Sequence, residues 1–166
     1  TGMGAAGYTM PLPEKDEMFN TKTEILEQIM VDLGGRIAEE LTFGDITTGA
    51  SQDIKQATQI ARSMVTKYGM SEKLGPIDYS PSDSDEVFIG RDWGQAKNYS
   101  ESTAAAIDAE VKEIMERCYK EAKEIIVSHK DVLESCAQLL LEKERVMRDE
   151  FEALFAKPAA DPVIEL

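Results

Sequence analysis

Apolar residues return at helical spacing along most of this chain. Ile25, Leu26, Ile29, Met30, Leu33, Ile37 and Leu41 recur every three or four positions, the pattern of one helix face turned to a core. Thr21-Lys22-Thr23-Glu24 fits a capping box at the start of that helix, in which each side chain satisfies an otherwise unpaired backbone N–H. Gly34-Gly35 are expected to interrupt it. Each glycine costs about 1 kcal/mol relative to alanine, so a neighbour packing close against that face is expected in return. Gly44 to Gly49 read as a turn. Ser51 reads as the N-cap of a second helix, whose stripe is Ile54, Ala57, Ala61, Met64, Val65 and Tyr68 and whose end is Gly69. Ser100 caps the longest helix, with Ile107, Val111, Ile114, Cys118, Ala122 and Ile125 on one face. A break near residues 128–130 precedes a further amphipathic helix with Val132, Leu133, Cys136, Leu139 and Leu140, and Phe151, Leu154 and Phe155 suit a short final one.

The remaining segments carry turn chemistry. Residues 70–99 read as a long irregular connection with two short β-like pieces, around 77–79 and 87–89, and a connection of that length in a compact domain is usually functional or mobile. The first thirteen residues, TGMGAAGYTMPLP, are Gly-rich and then bounded by proline, and Ala6 to Met10 fit a short extended strand. The tail from Lys157 holds two prolines and is expected to be disordered. The expected fold is therefore mainly α, with helices packed side to side and a short β-strand element near the N-terminus. Residues 1–156 form one domain and residues 157–166 a tail.

Composition narrows the function. The 166 residues suffice for one domain with a proper core. There are 32 Asp and Glu against 18 Lys and Arg, a net charge of −14, and such a field repels phosphate backbones, so no nucleic-acid partner is expected. No apolar run approaches the roughly 20 residues that cross a bilayer, so no membrane segment is expected in this chain. The chain begins at Thr1 in a Gly-rich stretch without an initiator Met, which suggests a piece of something longer. Cys118 and Cys136 lack metal-site spacing and sit on apolar helix faces, as buried reduced thiols do. No Gly-x-x-x-x-Gly-Lys-Ser/Thr loop is present, so no ATP site is expected. The single histidine, His129, lies at a helix break with no nucleophile placed beside it in sequence, and one histidine cannot form His-Glu-x-x-His. Asp53 follows the Gly-containing turn in the first turn of a helix. Two readings of it stay open: a partner of the helix dipole, or a carboxylate aimed from a helix start at a cation.

Longer strings carry a resemblance. Gly34-Gly35-Arg36-Ile37-Ala38-Glu39-Glu40-Leu41, then Thr48-Gly49-Ala50-Ser51-Gln52-Asp53-Ile54, resemble the peptidase domain of FtsH-type ATP-dependent zinc metalloproteases. So do Ala61-Arg62-Ser63-Met64-Val65, Gly69-Met70-Ser71-Glu72-Lys73-Leu74-Gly75-Pro76, Val87-Phe88-Ile89-Gly90-Arg91-Asp92 and the run from Tyr99 to Val111. The resemblance runs from about Gly2 to Phe155.

It implies a mainly helical peptidase fold in a membrane-anchored homo-hexamer, whose AAA ATPase domain threads polypeptide substrates into a zinc peptidase chamber on the cytoplasmic or equivalent organellar side. In such enzymes a His-Glu-x-x-His helix supplies two zinc ligands and the general base, and a downstream aspartate completes the zinc site. That aspartate matches Asp53. Glu39 matches an acidic position near a zinc-binding histidine, which it would orient; a salt-bridged structural glutamate is the other reading. Gly7, Tyr8, Thr9 and Met10 match the strand beside the cleft, where they would pair with extended substrate or serve only as a sheet edge. The His-Glu-x-x-His helix lies upstream of the matching region. The chain is thus expected to hold one zinc ligand and no catalytic residue, and to be inactive and without tight zinc binding by itself, with ATP used only by the absent ATPase domain. The alternative is a natural non-catalytic interaction or assembly module derived from the same domain.

Overall fold

The computed structural model describes residues 19–81 and 99–156. These form five helices: α1 (Lys22–Phe43), α2 (Ser51–Thr66), α3 (Glu101–Ser128), α4 (Lys130–Lys143) and α5 (Arg148–Phe155), with a 3₁₀ turn over Thr48–Ala50 leading into α2. No strand occurs among the described residues, and the fold is mainly α, as the periodicity predicts. The proposed strand at Ala6 to Met10, the β-like piece at 87–89 and the tail from Lys157 lie outside the described residues.

Three helices share one core. Ile29, Leu33 and Ile37 of α1 meet Ala57, Ala61, Met64 and Val65 of α2 and Ile107, Val111, Cys118 and Ala122 of α3. Ala57 and Ala61 are fully buried. Their small side chains let the α2 backbone approach its neighbours closely, while the larger α1 and α3 residues fill the space on either side. Burying each large aliphatic side chain here contributes about 1.5–3 kcal/mol.

The ends of α1 and α3 follow the expected local chemistry. Thr21 accepts from the Glu24 N–H and Glu24 reaches back to the Thr21 backbone, the capping box read from the sequence. Gly44 closes α1 in the left-handed conformation, with φ of 65°. Ser100 caps α3 by accepting from the Thr103 N–H. Two expectations fail. Gly34 and Gly35 do not interrupt α1, because the apolar stripe on either side of them is continuous and buried. Ser51 is not an N-cap but the first residue of α2; Ala50 precedes it without a side-chain cap, because the 3₁₀ turn already directs the chain into the helix.

Polar links join the helices at their rims. Glu40 accepts from Lys123 Nζ at 2.7 Å and from the Tyr119 hydroxyl, which ties the end of α1 to α3. The Lys123 contact and the Tyr119 hydrogen bond hold the Glu40 carboxyl below its ordinary pKa. Arg62 of α2 reaches Asp108 of α3 at 3.0 Å, an exposed pair of modest worth.

The chain leaving α2 folds back on the core. Gly69 has φ of 58°, and a Cβ there would stand 2.8 Å from Pro76 Cα, so the site admits only glycine without rearrangement. The β-like piece expected at 77–79 is irregular: the Tyr79 N–H donates to Thr66 O at 2.7 Å, so a helix end rather than a partner strand takes that donor. Buried Ser71 donates to Glu110 Oε2 at 2.6 Å and accepts from the Leu74 N–H at 3.1 Å. Lys73 Nζ lies 2.9 Å from the other Glu110 oxygen, an ion pair without hydrogen-bond alignment.

α4 and α5 stand apart from this core. His129 breaks α3 from α4, and its ring packs against Phe155 at 5.6 Å between centroids. Among the α4 stripe residues only Val132 is buried, and Leu140 is exposed. Cys118 is buried as expected, whereas Cys136 on α4 is only half-buried; α4 packs chiefly on α5 and, of the three core helices, touches α3.

The Ser71 link has a pH signature. The Ser71 hydrogen bond, more than Lys73, holds the Glu110 carboxyl below its ordinary pKa, so its contribution is present above the ordinary glutamate range and is lost as pH falls through the lowered value. Ser71→Ala is expected to destabilise the chain by about 1–3 kcal/mol at neutral pH. Urea unfolding at stepped pH should show that difference shrinking as Glu110 protonates in acid.

Candidate functional site

The turn between α1 and α2 is held by a glutamate one helix turn before the end of α1. Glu39 accepts from the Thr47 N–H at 3.2 Å with one carboxylate oxygen and from the Thr47 hydroxyl at 2.8 Å with the other. The same hydroxyl accepts from the Gly49 N–H at 3.0 Å. Arg36 donates to Thr47 O at 3.2 Å. The approach is close: a Cβ on Gly49 would lie 3.1 Å from Thr47 Oγ1 and 3.4 Å from Glu39 Oε1. Glu39 makes no ion pair among the described residues; its two oxygens are committed to Thr47 instead.

Beyond this turn, Asp53 is the third residue of α2. Its carboxylate is exposed and makes no hydrogen bond or ion pair to another described residue. It faces α1 at Gly35, where a Cβ would meet Asp53 Oδ2 at 3.9 Å, an ordinary contact distance. A Cβ on Gly34 would meet nothing within 4 Å. The close neighbour expected against the Gly34-Gly35 face is therefore absent among the described residues, and that face is bare beside Asp53.

A second carboxylate, Asp32, lies near Asp53 one turn back along α1. Gln28 Nε2 donates to its Oδ1 at 3.0 Å, while its Oδ2 is buried without a hydrogen-bond partner. Burial pushes the Asp32 carboxyl up, the Gln28 hydrogen bond offsets part of this, and the charge of Asp53 adds to the rise. Asp32 and Thr47 carry no weight in the sequence reading. Thr47 was legible as a hydroxyl two residues before Gly49, the side-chain capping pattern of a tight turn. Asp32 offered only a polar residue beside an apolar stripe.

Asp53 has the chemistry of a zinc donor: an exposed carboxylate in the first turn of α2, without a partner among the described residues. The described residues contain no group of three or more His, Cys, Asp or Glu that could hold a metal ion. His129, at the far end of α3, has its Nδ1 3.0 Å from the Ile125 carbonyl oxygen and 3.0 Å from Ser128 Oγ and has no part in this site. The substrate-strand candidates Gly7, Tyr8, Thr9 and Met10 lie outside the described residues. No helix among the described residues is long and apolar enough to cross a membrane.

The fold and site define a mainly helical domain that presents an exposed carboxylate, Asp53, from a helix start beside a glycine face. Residues 1–154 match the model of peptidase family M41, and the chain belongs to that family. It is 48% identical over 160 residues to the ATP-dependent zinc metalloprotease FtsH of Caldicellulosiruptor bescii, covering 96% of this chain and 26% of that protein. It is 46% identical over 150 residues to the ATP-dependent zinc metalloprotease FtsH of Bacillus subtilis, covering 90% of this chain and 24% of the relative. The protein of the same name from Thermotoga maritima is 45% identical over 156 residues, covering 94% and 25%. The chain thus spans about a quarter of the length of these curated relatives.

The bare glycine face yields a stability prediction. With nothing within 4 Å of a Cβ at position 34, Gly34→Ala in this 166-residue chain should stabilise α1 by about 0.5–1 kcal/mol. Thermal unfolding monitored by circular dichroism checks the sign; a lowered midpoint would mean that another segment packs on that face.

Proposed function

We propose that this chain is the helical part of the peptidase domain, spanning residues 1–156, of an ATP-dependent zinc metalloendopeptidase, and that Asp53 is a zinc ligand. The observation that carries the reading is the exposed Asp53 carboxylate, without a partner among the described residues and presented from a held helix start within residues matched to peptidase family M41. Relatives named ATP-dependent zinc metalloproteases support the reaction class. The 166 residues include one histidine and so no His-Glu-x-x-His motif; this reading assigns the remaining zinc donors and the general base to segments outside them. Zinc, when bound, supplies Lewis acidity and a water of lowered pKa.

This chain's own residues do three things in that reading. Asp53 donates a carboxylate oxygen to the metal. Glu39 and the turn it holds fix where α2 begins, and so where that oxygen stands. The Gly34-Gly35 face leaves room beside Asp53 for the segment that brings the other donors. Polypeptide substrates, a homo-hexameric ring, an ATPase module and a membrane anchor belong to the whole enzyme in this proposal. The acidic surface, with a net charge of −14, speaks against nucleic acid as a partner.

Two measurements test it. Purified without further segments, this chain should cleave no casein with zinc added; chelator-sensitive cleavage would overturn the division of the site. In the complete gene product, Asp53→Asn should reduce bound zinc from about one per subunit to near none while helical circular dichroism is kept, because one of the few donors of a catalytic zinc site is lost. Full zinc retention by that variant would remove Asp53 from the ligand set. A complete gene product that binds no zinc at all would favour a non-catalytic assembly module.

A further inference from the structure

We infer that Thr47 is a positioning residue for the Asp53 carboxylate, acting through its hydroxyl; the inference rests on the zinc-ligand reading of Asp53. α2 has no cap of its own, since Ala50 precedes it without a side-chain hydrogen bond to the first turn. The direction in which α2 starts is therefore set upstream, by the 3₁₀ turn Thr48–Ala50 that runs directly into Ser51. That turn is itself capped by Thr47, whose side chain accepts from the Gly49 N–H.

Four hydrogen bonds converge on Thr47. Its N–H and hydroxyl both donate to Glu39, its hydroxyl accepts from Gly49, and its carbonyl accepts from Arg36. Among the described residues, the hydroxyl is the one side-chain group that both receives the turn and fastens it to α1. Glu39 and Arg36 lie on the same α1 segment as Gly35, the residue that faces Asp53 Oδ2. The distance between the α1 face and the Asp53 carboxylate is thus governed by a short path: Glu39 to Thr47 hydroxyl, hydroxyl to Gly49 N–H, and the turn to the third residue of α2. Without the hydroxyl, two of the four hydrogen bonds are lost at once and the Gly49 N–H loses its acceptor. Residues that orient a metal ligand from outside the ligand set typically change metal affinity by about 10–100-fold when removed.

The isosteric change Thr47→Val removes the hydroxyl and keeps the shape, and Thr47→Ser keeps the hydroxyl. In the complete gene product, zinc affinity measured by competition with a chromogenic chelator should fall about 10–100-fold in Thr47→Val and stay within about twofold of wild type in Thr47→Ser. In metal-free protein, amide hydrogen exchange at Gly49 should quicken in Thr47→Val alone, a readout independent of zinc and of activity. If Thr47→Val folds poorly, Glu39→Gln replaces it; glutamine offers one acceptor where glutamate offers two, and a several-fold loss of affinity with quickened exchange at Thr47 is expected. Wild-type affinity in Thr47→Val, or equal losses in the valine and serine variants, overturns the inference. Asp53→Asn separates the two claims: loss of zinc there with wild-type binding in Thr47→Val sinks the positioning role alone, whereas retained zinc in Asp53→Asn sinks both.

Discussion

Close contact between helices at two alanines is the constraint on which the rest of this domain depends. Ala57 and Ala61 carry no bulk beyond Cβ and are fully buried. They allow α2 to press against α1 and α3, so that Ile29, Ile37, Ile107, Met64 and Val65 fill one continuous core rather than two separate interfaces. Larger side chains at either position would lever α2 outward, a form of overpacking that costs about 1–3 kcal/mol. They would also carry the start of α2 away from α1.

The site inherits its geometry from that contact. With α2 seated by its alanines, only four residues, Gly44 to Thr47, separate α1 from the 3₁₀ turn, and the chain must reverse within them. Glu39 and Arg36 hold the reversal by taking the backbone and hydroxyl of Thr47. Asp53 has no hydrogen-bond or ion-pair partner among the described residues and faces a glycine. A carboxylate in the first turn of a helix is already favoured by the helix dipole, and Asp53 is the acidic residue there. The dipole and cation readings are therefore compatible: both place a carboxylate at the start of α2. Asp32 behaves differently, because partial burial, with the charge of Asp53 nearby, favours its neutral form.

Much of this was legible in the sequence, where one physical signal dominates. The stripe from Ile25 to Leu41 and the box at Thr21 and Glu24 both reported α1 correctly, since apolar periodicity and local capping act without distant partners. The helix break at His129 was legible for the same reason. Three readings failed where tertiary context decides. Propensity made Gly34-Gly35 an interruption, but α1 runs through them because the core residues on both sides are buried. Ser51 had the composition of a cap, but the hydroxyl that serves is Thr47, chosen by a glutamate eight residues upstream. Cys136 on the apolar stripe of α4 read as a buried thiol, yet it is half-buried and only Val132 of that stripe is buried, because α4 packs chiefly on α5 and touches the three-helix core only at α3. Asp53 was identified through the resemblance of its surrounding string; helical spacing left its role open.

The central claim is that the turn fixed by Glu39 and Thr47 delivers the Asp53 carboxylate to zinc. The most direct measurement is a crystal structure of the zinc-loaded complete gene product, with the metal located by anomalous scattering at its absorption edge. The account predicts one Asp53 oxygen bound to the metal at about 2.0–2.2 Å. Zinc coordinated by other residues, with the Asp53 carboxylate left in solvent, would contradict it.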